Sequence, residues 1–70
     1  MSTAKQILNF IIREKAHGNT FQELNIQMKI MLKGINVKGI LEENIPDEPT
    51  LIEKLKTIAT EFEVDLQKLA

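Results

Sequence analysis

The stretch from Asn19 to Gly34 constrains the fold more than any other. Phe21, Leu24, Met28, Met31 and Leu32 recur in it at the spacing of one helix face. Ile35 follows in phase, whereas Ile26 and Ile30 fall on the other side, at about 100° of rotation per residue. Both ends are punctuated. Thr20 with Glu23 has the spacing of a capping box, hydroxyl and carboxylate each accepting from a free backbone N–H. Gly34 suits the left-handed position that closes a helix. A helix apolar on two sides is either central to its domain or shared with a partner.

The flanking segments read as helices too. Ile7, Leu8, Ile11 and Ile12, with Ala4 in phase and Phe10 on the flank, predict a first helix from Thr3 to Ala16, capped by Ser2 or Thr3. Arg13 and Lys15 meet the negative end of its dipole, and His17-Gly18 ends it. So short a joint favours an antiparallel or steeply crossed helix pair. Asn36 can cap one or two turns through Val37, Ile40 and Leu41, although Gly39 costs such a helix ~1 kcal/mol relative to alanine. Pro46 and Pro49 stiffen the next connection, with Asp47 placed as an N-cap. Leu51, Ile52, Leu55, Ile58, Ala59 and Phe62 then give a plain amphipathic helix from Glu48 to Phe62. Asp65 caps a last turn through Leu69. The expected fold is one all-α domain over residues 1–70, a compact bundle of four to five short helices with helix-turn-helix-like connections and no sheet.

Composition narrows the chemistry. The chain has no cysteine, one serine, one histidine and three scattered glycines, so no thiolate, catalytic triad, zinc set or phosphate loop can be assembled. His17 beside Gly18 reads as a helix-end residue favoured by the dipole. Glu42, Glu43, Asp47 and Glu48 lack the alternating spacing of a calcium loop and read as a solvated edge. An enzyme is not expected, nor a cofactor, a metal or a small-molecule substrate. The start is not a secretory signal and no segment approaches the ~18 apolar residues of a membrane span, so a cytoplasmic protein is expected.

A 70-residue chain buries only roughly 60% of its unfolded surface, which raises the value of self-association. Residues 1–38 carry six cations against two carboxylates, and residues 39–70 carry three against eight. The two halves are expected to pack together and attract weakly, or to offer a basic face to an acidic partner.

The leading expectation is a non-enzymatic regulatory or protein-binding module, acting as a homodimer or on a protein partner. Met28 and Met31 read as gap-filling core, with an adaptable binding surface as the alternative. Ile26 and Ile30 either complete a core on both sides of their helix or are exposed and seal an interface. They are the partner-binding candidates, with Lys33 beside them and Glu42, Glu43 and Glu48 as a charged rim.

Gly18-x-Thr20-x-x-Glu23-Leu24 resembles the opening of the second helix in Cro/C1-type helix-turn-helix repressors, and Pro49-Thr50-Leu51 through Ile58-Ala59 is similar to their closing helices. The resemblance implies DNA binding, with Lys33, Asn36 and Lys38 as the available contacts. The chain departs from that pattern in the reading region. Gly34 lies too far beyond Leu24 for the family's turn glycine, and Glu42-Glu43 set negative charge beside phosphates. Nucleic acid is therefore the second expectation, behind a protein partner.

Overall fold

Ala4, Ile7, Leu8, Ile11, Ile12 and Ala16 return to one side of a helix every three or four residues, and they form the buried face of α1, Thr3–Ala16. A computed structural model of the chain describes residues 3–43, 45–46 and 48–69. Within them the chain forms four α-helices, closes with a 3₁₀ turn at Leu66–Leu69, and has no strand. Ser2 and Asp47, two of the expected caps, lie outside the described residues.

The α1 helix stops where the backbone turns left-handed at His17 and again at Gly18, with φ of 51° and 81°. Three residues further the chain is helical again, in α2, Thr20–Leu32. Its cap differs from the expected one. Asn19, not Thr20, has the extended backbone of an N-cap, and its side chain accepts the Gln22 N–H at 3.1 Å. Both residues are good caps by type. The left-handed pair just before Asn19 fixes which of them comes first in the turn. Gly34 closes α2 as expected, at φ 93°, with its N–H donating to the Met31 carbonyl.

Asn36 caps α3, Val37–Glu42, by accepting the Gly39 N–H at 3.0 Å. The last helix, α4, is Pro49–Glu61, with Pro49 in its first turn and Glu48 at the cap position without a side-chain bond. It ends in a full Schellman arrangement. The Val64 N–H donates to the Ala59 carbonyl at 2.8 Å and the Glu63 N–H to Thr60 at 3.1 Å. Glu63 occupies the left-handed position at φ 60°, and the buried Val64 and Ala59 supply the apolar part of the motif. Asp65 then caps the closing turn, accepting the Gln67 N–H at 2.9 Å.

One hydrophobic cluster joins all these elements. Leu8, Ile11, Ile30, Ile40 and Leu55 are its wholly buried large side chains, each contributing roughly 1.5–3 kcal/mol of transfer free energy. The organising helix is α1, which packs against α2, α3, α4 and the closing turn. Of the two readings of Asn19–Gly34, central to its domain or shared with a partner, the first is thus corrected. Six residues of α1 are buried, against two of α2, so α1 is the helix the others surround. The radius of gyration, 11.0 Å, equals the about 11 Å of a compact chain of this length.

Candidate interaction surface

Ile26 and Ile30 point into the core, and this orients the whole of α2. With about 100° of rotation per residue, the opposite arc carries Met31, Leu24, Met28, Phe21 and Leu32 in an angular span of about 100°. All five are exposed: Phe21 by 80%, Leu32 by 86%, and Leu24, Met28 and Met31 by 53% to 61%. They are the large apolar side chains that the described residues leave in solvent, and they lie on a single helix. At ~1.5 Å per residue this helix is about 20 Å long, so the apolar stripe runs along most of one side of a molecule measuring 28 × 24 × 22 Å.

This reverses the expected orientation. Ile26 and Ile30 cannot meet a partner, because they are 6% and 0% exposed against α1 and its neighbours. Met28 and Met31 are surface residues and not core. The cause is geometrical. Both arcs of α2 are apolar, so periodicity defines two faces without ranking them, and Ile35 misleads because the left-handed Gly34 breaks the helical phase before it. Ile35 is buried by a different route, after the turn.

The polar candidates do not gather around this stripe. Lys33 is held inside the molecule's own network, its Nζ paired with the Glu61 carboxylate of α4 and 5.9 Å from the centroid of the Phe62 ring. That pair joins the cationic first half to the acidic second half. Glu42 and Glu43 end α3 and Glu48 caps α4, all exposed and none on α2. Of the DNA-contact candidates, Lys33 is paired, the Asn36 side chain is committed to capping α3, and Lys38 stands exposed on a six-residue helix whose Val37, Gly39 and Ile40 are buried.

Two open grooves flank α4. One, of about 450 Å³, lies between the α2–α3 turn and the start of α4, with Ile35, Ile45 and Leu51 as its apolar wall. The other, of about 500 Å³, is lined by Lys33, Lys54, Thr57, Ile58 and Glu61. His17 is exposed at the end of α1, and among the described residues no three histidine or acidic side chains gather to hold a metal ion. No described helix is long and apolar enough to cross a membrane.

The immediate borders of the α2 stripe are uncharged. Thr20 and Gln27 lie on one side, Asn25 on the other, with Glu23 and Lys29 further round the helix. Comparison with models of known protein families finds no match, and comparisons with curated proteins and with solved structures find none either.

Proposed function

We propose that this chain is a non-enzymatic helical module that binds protein through the outward face of α2. The exposed stripe of Phe21, Leu24, Met28, Met31 and Leu32 carries the reading. Single apolar side chains on a surface need no explanation, but a contiguous patch of several hundred Å² marks an interaction site. Phenylalanine and methionine suit such a site because the thioether adapts its shape and makes favourable contacts with rings. The stripe is not needed to build the core, since the buried cluster is complete without it.

A photo-crosslinking amino acid at Met28, in the full chain expressed in its own cells, tests the reading against the same probe at Lys56 on the exposed side of α4. The expected result is an adduct of defined mass from position 28, identified by mass spectrometry, that position 56 does not give. It should disappear when Leu24→Gln is added. Equal labelling from both positions, or none from position 28, would remove the assignment.

A further inference from the structure

Resting on that reading, we infer that the occupant of the α2 face is a second copy of this chain, docked with its own α2 antiparallel across a two-fold axis. Three observations favour a copy over an unlike partner.

The spacing is self-complementary. Phe21, Leu24, Met28 and Met31 alternate steps of three and four residues, the seam of two helices packed side by side. Turned end for end, one register sets Phe21 against Met31 of the second copy and Leu24 against its Met28. Because the contact is isologous, each pairing occurs twice. The aromatic ring thus meets a thioether at both ends of the seam. Antiparallel helices also oppose their dipoles, which a parallel pair would align.

The borders carry no charge. Thr20, Asn25 and Gln27 flank the seam, so two copies meet without like-charge repulsion. In this register Asn25 faces its own counterpart on one flank and Gln27 its own on the other, and amides can donate and accept mutually. A partner selected by charge would find nothing at this rim to select it. Nor do the borders carry the lysines and arginines with which a membrane-surface helix meets anionic lipid.

The area fits. Five large side chains of roughly 200 Å² each, all more than half exposed, present on the order of 600 Å² per copy. With its polar border the face approaches the ~800 Å² per partner of an ordinary specific interface. The interface follows the flank of one helix and asks for no rearrangement of the bundle.

Sedimentation velocity on the purified full chain, from micromolar to millimolar, is the first arm of the test. A reversible dimer is expected, and the double variant Leu24→Gln/Met28→Gln should weaken it by more than roughly tenfold. Its urea midpoint should match the parent measured at concentrations where both are monomeric. The second arm uses the absence of native cysteine. Asn25→Cys should oxidise readily to a disulfide-linked dimer, because the two-fold axis brings position 25 to itself. Leu24→Cys should not link to itself, but should link to Met28→Cys when the two proteins are mixed. Efficient self-linking of Leu24→Cys with none at position 25 would overturn the antiparallel arrangement. A chain monomeric to millimolar concentration that still gives the position-28 adduct in cells would overturn the second copy and leave the docking face intact. A monomer with no adduct would remove both.

Discussion

The side chain of Asn36 fills the space that a Cβ on Gly39 would need, its amide group lying closer to that point than real Cβ atoms approach their neighbours. Gly39 is thus not merely a weak residue in a short helix, for its bareness lets Asn36 reach the Gly39 N–H. Asn36→Ala should cost about 1 kcal/mol through the lost cap. Gly39→Ala alone should gain little or lose, because the ~1 kcal/mol of helix propensity is offset by displacement of that cap. Together with Asn36→Ala, the same Gly39→Ala should be stabilising. Urea denaturation of the four proteins measures the coupling, expected at about 1 kcal/mol; strictly additive effects would disprove the account.

Ile30 and Met31 are adjacent in the chain and opposite in the fold, 0% and 53% exposed. Ile30→Val should therefore cost about 0.5–1.5 kcal/mol, and Ile30→Ala about 2–5, enough to unfold so small a domain. Met31→Ala should change the stability of the monomer by less than about 0.5 kcal/mol. Thermal unfolding at low protein concentration separates the two. Comparable losses would mean that both faces of α2 are core.

Glu63 holds a left-handed backbone at φ 60° so that Val64 can bond back to Ala59. A side chain there costs roughly 1–2 kcal/mol relative to glycine. Glu63→Gly should raise stability by about 1 kcal/mol, a rise of roughly 4–8 °C in Tm for a domain of this size. A lowered Tm would mean that the Glu63 side chain contributes more than its backbone conformation costs.

The Lys33–Glu61 pair closes the ends of α2 and α4 over Phe62, but both side chains are well exposed, at 38% and 45%. A double-mutant cycle with Lys33→Gln and Glu61→Gln should return no more than about 1 kcal/mol. That coupling should shrink in about 1 M salt, where the screening length falls to a few ångströms. A large, salt-independent value would show the pair to be shielded from solvent.

Met28 and Met31 sit on the exposed stripe, open to oxidants. Conversion of both to the sulfoxide makes the seam polar without touching the core. Peroxide treatment should dissociate the dimer while leaving the helical circular dichroism unchanged, and methionine sulfoxide reductases should restore it. Loss of helix along with the dimer would place these residues in the core after all.

The helices were readable because α1 and α4 are apolar on one side only. Ile7, Leu8, Ile11 and Ile12, or Leu55, Ile58 and Ala59, leave no choice about which way they face. Asn36 and Gly34 were readable for the same reason, each being a residue type with one favoured use at that place. The orientation of α2 was not, because Ile26 and Ile30 compete with five apolar residues on the other arc, and only the shape of α1 decides between them. Branching is the signal that separates the two arcs. The two β-branched isoleucines are stiff and pack in one way, while Phe21, Met28 and Met31 belong to types common at adaptable surfaces. The organising role of α1 likewise depends on contacts among helices distant in sequence, which no local pattern encodes.

The two buried side chains of α2 set the order in which the molecule comes apart. Freeing α2 exposes Ile26 and Ile30, whereas freeing α1 uncovers six buried residues together with everything packed on them. Opening free energies across a native protein follow such differences in buried contact. In native-state hydrogen exchange the amides of α2 should therefore open before those of α1, which open only with the whole. An added contact on the outward arc would raise the protection of α2 more than that of any other helix. Amide exchange along Thr20–Leu32 is therefore itself a gauge of whether that arc is occupied.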